Sequence, residues 1–242
     1  SCVQSAPLVF CRKIYRGILM CGRFVRTTPI ERYAALFTAP GNVVLKASYN
    51  IAPSSSILLA RNNANGGREL VALKWGLVPA WSKEPRTEYS TINARAETID
   101  QKPAFKSAFI SRRCLIASDG FYEWKKNSDG SKQPYFIRLA DNKPFAFAGI
   151  WERWEREGQV LESCAIIVTS ANRLMTPIHD RMPVILSPDY YDAWMNPKET
   201  DSVRLKSLLR PFDADRMKAY PVSTEVNSPR HDSASLILEM TS

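Results

Sequence analysis

The chain is poor in the residues that build most metal and disulfide sites. Its 242 residues hold five cysteines (Cys2, Cys11, Cys21, Cys114 and Cys164) and two histidines, His179 and His231. The cysteine count is odd and no pair has C-x-x-C spacing, which argues against a disulfide framework and a zinc cluster. The thiols therefore read as free, in a reducing compartment, and no metal is expected. No apolar run approaches the ~20 residues of a membrane helix, so no membrane partner is expected. A G-x-S-x-G elbow, a P-loop and a Gly-rich dinucleotide motif are all missing, which removes motif support for serine hydrolases, NTPases and dinucleotide enzymes. Internal repeats and low-complexity tracts are missing too. Acid is scarce: 24 Asp and Glu face 33 Lys and Arg, a net charge of +9. That imbalance favours a polyanionic partner without specifying one.

What is present suits one folded unit. A single domain of this length buries roughly 70–75% of its unfolded surface, enough for a core without covalent staples. The first nineteen residues carry Arg12, Lys13 and Arg16 and no acid. They read as a leader or non-native extension ahead of a domain at 20–240. Helical apolar spacing marks 30–38, with Thr28 as N-cap before Pro29. β-rich runs at 57–61 and 70–78 flank an Asn/Gly-rich turn. Residues 79–91 read as a long ordered loop and 102–111 as a helix. Strands are expected at 113–117, 120–126, 133–139 and 144–151. The apolar run 164–169 reads as a buried strand, 171–176 as a helical turn and 182–186 as a short strand. Ser187 and Pro188 then open a helix, a second amphipathic helix follows at 201–210, and a last strand lies at 219–223. The pattern is an α+β domain with mainly antiparallel sheets.

Reactive residues concentrate in four short segments at strand ends or loops, where sites usually sit. These are Cys21-Gly22-Arg23, the run 92–97, the run 119–124 and the run 178–183. If Cys21 becomes the first residue, it carries an α-amine beside its thiol. That 1,2-aminothiol condenses with an aldehyde to an imine, and the thiol then closes a thiazolidine. The amine titrates near ~7.7–8 and a thiol near ~8.5, so both nucleophiles are expected at neutral pH. Glu123 lies between Tyr122 and Trp124, and is either a solvent-facing carboxylate or a general acid with a raised pKa. His179 is either a capping or core histidine or a catalytic one, and Asn93 either a turn residue or a site residue. Arg23, Arg95 and Arg181 either pair with Glu97 and Asp180 or grip phosphates. Trp75 and Trp81 either pack in the core or stack on bases.

Six ordered motifs give the chain a resemblance to the SOS-response-associated peptidase family of abasic-site-crosslinking proteins. They are Met-Cys-Gly-Arg-Phe at 20–24, Tyr-Asn-Ile-Ala-Pro at 49–53 and Trp-Gly-Leu-Val-Pro-Ala-Trp at 75–81. Ile-Asn-Ala-Arg-Ala-Glu at 92–97, Asp-Gly-Phe-Tyr-Glu-Trp-Lys at 119–125 and Ile-His-Asp-Arg-Met-Pro at 178–183 complete the set. The resemblance implies a barrel-like antiparallel core with peripheral helices. It implies covalent capture of abasic sites in single-stranded DNA by an N-terminal Cys21, without a cofactor. Glu123 matches the carboxylate that assists sugar opening and proton transfer. Asn93 matches the residue that orients the opened sugar, and His179 the one that assists ring chemistry. Gly22, Arg23, Asn50, Pro53, Trp75, Arg95, Thr169 and Arg181 fall where the family contacts the lesion strand. The same resemblance implies a monomer on DNA, replication-fork proteins as further partners, and residence in the cytoplasm or nucleoid of a bacterium or the nucleus of a eukaryote.

One feature departs from the family pattern. While residues precede Cys21 its amine is locked in an amide, so translation must start at Met20 or the Met20–Cys21 bond must be cut. Two other readings therefore stand beside the crosslinker: a cysteine-type peptidase acting before Cys21, and a non-covalent single-stranded DNA-binding module.

Overall fold

A two-residue turn organises much of the molecule. Glu157 and Gly158 both adopt positive φ, 51° and 75°, and Arg156 pairs with Gln159 across them. Two such residues match the right-handed twist of the flanking strands and fix their register. They join the two longest strands, β9 (Phe145–Arg156) and β10 (Gln159–Ser170). A computed structural model describes residues 21–85 and 91–240 of the chain. The expected leader at 1–19 and part of the expected 79–91 loop lie outside those residues.

Five strands close into a ring. β3 (Ser56–Asn62) and β4 (Arg68–Trp75) form a hairpin, and β3 also pairs with β6 (Arg113–Ser118). β6 pairs with β9, β9 with β10, and β10 returns in parallel to β4 through Ser163 and Cys164. Short strands extend this sheet: β5 (Asn93–Arg95), β11 (Arg181–Pro183) and β12 (Ile185–Leu186). A second, antiparallel sheet runs in the order β13 (Met217–Pro221), β8 (Lys132–Leu139), β7 (Gly120–Lys126), β1 (Arg23–Arg26), β2 (Ser48–Ile51). The expected barrel-like, mainly antiparallel core is thus present.

Side-chain alternation splits the ring strands between two apolar sets. Leu58, Ala60, Leu115, Ala148 and Ile167 pack with Tyr33, Phe37, Phe109 and Trp194. These four come from α1 (Ile30–Phe37), α2 (Lys106–Ser111) and α3 (Tyr191–Met195), with α4 (Ser202–Ser207) beside them. Leu59, Ile116, Phe147 and Ile166 take the other alternation and meet Phe24, Phe121 and Ile137 of the second sheet. Phe147 packs edge-on against both Phe24 and Phe121, at 5.8 and 6.0 Å between ring centres. Such pairs add about 0.5–1.5 kcal/mol each beyond simple burial. A third cluster lies on the far face of the second sheet, where Tyr122 and Phe136 meet Val222, Val226 and Leu236 of the C-terminal segment. No helix among the described residues is long and apolar enough to cross a membrane.

Several expected boundaries shift for physical reasons. Thr28 does not cap α1: its N-cap is Pro29, and the Thr27 and Thr28 amides donate instead to the Asp119 carboxylate from the β6–β7 corner. The helix expected over 102–111 is regular only from Lys106. Ser187 makes no side-chain cap bond; a 3-10 turn over Pro188–Tyr190 leads into α3. The strand expected over 182–186 divides between β11 and β12 because its two halves pair with different strands, β10 and β9. β9 and β10 run past their apolar centres into charged residues, where ladder bonds rather than burial hold them. β1, β2 and β5 are too short to show a period.

Candidate functional site

β1 and β7 are neighbours, with Arg23 opposite Tyr122, and this register brings Cys21 at the head of β1 beside Glu123. The Cys21 backbone N–H donates to Glu123 Oε1 at 2.7 Å. Both residues are buried, Cys21 at 3% and Glu123 at 1% exposure. Glu123 therefore does not face solvent. Tyr122 turns to the C-terminal cluster, so Glu123 shares the opposite face with Phe121, at the margin of the core between the sheets.

Burial pushes the Glu123 carboxyl pKa above its ordinary value of 4.5, opposed by the neighbouring His179 and by hydrogen bonds from Cys21. The Cys21 thiol is pushed well above 9.0, first by burial and then by the Glu123 charge. In this form, with the Cys21 nitrogen held in an amide, the thiol keeps its proton at neutral pH.

His179 stands in the turn between β10 and β11. Its N–H donates to Met175 O at 2.9 Å. Its Nδ1 accepts the Arg181 N–H at 3.0 Å and lies 3.1 Å from Asp180 Oδ1. A backbone N–H can only donate, so the neutral ring carries its proton on Nε2. Glu123 and His179 both line a cavity of about 950 Å³. Gly22, Arg23 and Pro53 line it too, with Trp124, Lys126, Lys132, Ile178, Asn227 and Pro229.

The remaining expected site residues divide. Asn93 lies half-buried in β5, paired in parallel with Ile166 of β10. Arg95 is exposed at the end of β5. Arg181 forms an ion pair with Glu97. Thr169 is buried in β10 opposite Met182. Arg23 is half-buried, and its Nη1 donates to Asn50 Oδ1 at 2.9 Å and Val226 O at 2.7 Å. Asn50 is buried, and its Nδ2 donates to Ser228 O at 3.0 Å and His231 O at 2.7 Å. These two residues moor the C-terminal segment, and Asn50 also lines a neighbouring cavity. Trp75 must also be corrected. Its ring is fully buried against Phe24 and its Nε1 donates to Ile92 O at 2.9 Å, so it offers no stacking face. Trp81, at 66% exposure, is the free ring of that pair.

Sequence reasoning missed part of the cavity wall. Lys126 and Lys132 face each other across the β7–β8 hairpin, a basic pair legible from its turn residues. Asn227 accepts from Trp124 Nε1 at 2.7 Å, and Pro229 follows it; neither lies in a motif. Among the described residues no cluster of three or more His, Cys, Asp or Glu could hold a metal ion.

Comparison with known proteins fits this arrangement. Residues 20–229 match the family described as SOS response associated peptidase (SRAP). Abasic site processing protein YoqW of Bacillus subtilis is 46% identical over 222 residues, covering 90% of this chain and 99% of its own. Abasic site processing protein YedK of Escherichia coli is 32% identical over 228 residues, with 90% and 99% covered. Abasic site processing protein HMCES of Gallus gallus is 34% identical over 219 residues, covering 77% of this chain and 64% of its own. A crystal structure of a Bacteroides thetaiotaomicron protein superposes with a TM-score of 0.83 at 29% identity, covering 91% of this chain and all of that one. With four of its six motifs on one cavity, a family model matching residues 20–229 and near-full-length relatives above 30% identity, the chain belongs to the SOS response associated peptidase family.

Proposed function

We propose that the protein captures abasic sites in single-stranded DNA as a covalent thiazolidine on Cys21, once Cys21 is N-terminal. The observation that carries this reading is the 2.7 Å contact between the Cys21 nitrogen and the buried Glu123 carboxylate, on a cavity with His179. The family relatives named as abasic site processing proteins support it.

The chemistry follows from the protonation states. Most abasic sugar is a closed hemiacetal, and only the opened form is an aldehyde. A carboxyl whose pKa is raised by burial keeps its proton to higher pH than an ordinary glutamate, and it can deliver that proton to the ring oxygen while taking up the proton of the anomeric hydroxyl as the ring opens. The Cys21 amine adds to the aldehyde carbon, and the resulting hydroxyl leaves as water with a proton from Glu123. That gives an imine. The Cys21 sulfur then bonds to the carbon of this protonated imine, its proton passes to the Glu123 carboxylate, and the C=N electron pair returns to nitrogen. One water is lost overall. His179, a proton carrier on the same cavity, assists the same transfers. Arg95 and Arg181 supply charge for the strand, and Trp81 a face for a base.

Intact-protein mass spectrometry after mixing with abasic single-stranded DNA tests this. A chain starting at Cys21 should gain one strand minus one water, and Cys21→Ala should gain nothing. A full-yield adduct on Cys21→Ala would overturn the reading.

A second reading, self-cleavage before Cys21, draws on a separate observation. Cys21 has φ of 44°, a left-handed conformation that costs a non-glycine residue roughly 1–2 kcal/mol. Cutting the Met20–Cys21 bond releases that constraint. The thiol would attack the Met20 carbonyl carbon, its proton passing through the Glu123 carboxylate to the amide nitrogen as the C–N bond breaks. Water would then hydrolyse the thioester. Incubation of the full chain should yield a product starting at Cys21, and Glu123→Gln should stay intact.

A further inference from the structure

A second cavity, of about 480 Å³, lies beside the first and shares Ala52, Pro53 and Pro229 with it. Its wall includes Arg26 of β1, a residue only 3% exposed. Nη2 of Arg26 donates to the carbonyls of Leu45, at 3.3 Å, and Lys46. Nε and Nη1 have no hydrogen-bond partner among the described residues, and no carboxylate there lies within ion-pair distance of Arg26. Asp119 acts on it only from farther off, and its oxygens are already engaged by the Thr27 and Thr28 amides and the Tyr33 hydroxyl. A buried cation without a paired anion is costly, and proteins normally match such a charge.

We infer that this cavity is a phosphate-binding site, with Arg26 as its buried cation and Lys46 as a second cation at its mouth. The rest of the lining suits that ligand. Ser48, Ser55 and Ser56 bring hydroxyl donors, and the volume exceeds that of one phosphate several-fold. Asp232 is the carboxylate of the rim, and its Oδ1 is held by the Tyr49 N–H at 2.5 Å, so the anion belongs on the Arg26 side. Arginine suits phosphate because it is always charged and presents several fixed donors. The shared wall puts a phosphate bound here next to the crosslinking cavity. It is either a phosphate of the strand flanking the lesion or a free phosphate ion. The site does not depend on the crosslinking reaction.

The Cys21→Ala chain, which cannot crosslink, separates this test from that of the proposed function. Its melting temperature is followed against inorganic phosphate, with chloride at matched ionic strength as control. Phosphate should saturate and raise it by about 5 °C at a hundredfold excess over Kd. Arg26→Gln should weaken phosphate binding about tenfold or more. Should that variant fail to fold, Ser56→Glu, on the exposed rim, should weaken it equally by repulsion. Oligonucleotides with one methylphosphonate at successive linkages then identify the source. A position that weakens binding to the parent chain but not to Arg26→Gln assigns the site to the strand. Phosphate binding with no such position assigns it to the free ion. Phosphate acting no differently from chloride, or binding equally to both variants, would overturn the proposal.

Discussion

At the residue scale, the site rests on one buried carboxyl whose protonation the fold controls. Burial raises the Glu123 pKa above 4.5, so the unfolded chain gives up this proton first as pH rises. Folding stability tied to Glu123 is therefore complete below pH 4.5 and declines as pH climbs through the raised value. Glu123→Gln keeps the shape without the charge. In the chain whose Cys21 nitrogen is still an amide, this variant should melt with wild type at pH 4 and above it at pH 8. Equal melting at both pH values would contradict the assignment. Crosslinking by the Cys21-terminal form should fall about 10²–10⁴-fold in the same variant. The neighbouring thiol, raised by burial and by Glu123, should alkylate with iodoacetamide far more slowly at pH 7 than an exposed cysteine. Peptide mass spectrometry in native and denaturing buffer reads that difference directly.

At the element scale, the site depends on how closely β7 lies against β8 and how firmly the C-terminal segment is moored. A methyl group on Gly120 would sit 2.4 Å from the Phe136 ring and 2.7 Å from the Ile137 carbonyl. Gly120→Ala should therefore destabilise the fold by about 1–3 kcal/mol, measured by urea denaturation. Glu123 rides on the same strand, so the variant should also slow crosslinking. Asn50→Ala removes a buried side chain that serves the Ser228 and His231 carbonyls. It should cost about 1–3 kcal/mol and open the segment around Pro229 to limited proteolysis ahead of the rest of the chain.

How the elements were legible follows their patterning. The Asn/Gly-rich β3–β4 hairpin, the β7–β8 hairpin and the buried centre of β10 all declare themselves through period and turn residues. β1 and β2, four residues each, do not, because four residues cannot establish a period. The Glu123 ambiguity has the same origin. Alternation placed Glu123 opposite Tyr122 and Trp124, and aromatic residues on one face suggest solvent on the other. In this fold both faces of the second sheet are covered, one by the ring and one by the C-terminal segment.

At the scale of the whole molecule, the charge of +9 is a partner signal with a measurable consequence. Single-stranded DNA affinity should fall linearly with log salt, with a slope of about −0.7 per phosphate neutralised. Arg95 is exposed at the end of β5, and Arg95→Ala should lower that slope by about 0.7 in anisotropy titrations from 50 to 200 mM salt. An unchanged slope would place Arg95 away from the strand.

The amino-acid sequence by itself determined the chemistry available. It set a thiol at Cys21, a carboxyl at Glu123, an imidazole at His179, a basic balance and the six motifs that carry the family. Local physics is enough for that, because residue type and spacing are written along the chain. Only the tertiary structure decided which of these groups meet and which are hidden. Cys21 and Glu123 lie 102 residues apart and touch because β1 and β7 pair. Trp75 and Trp81 look alike in sequence, yet inter-sheet packing buries the first and leaves the second exposed. Asn50, Val226 and His231 meet because the chain end folds back over β2. Long-range pairing and burial are properties of the assembled sheets, and no local window of sequence contains them.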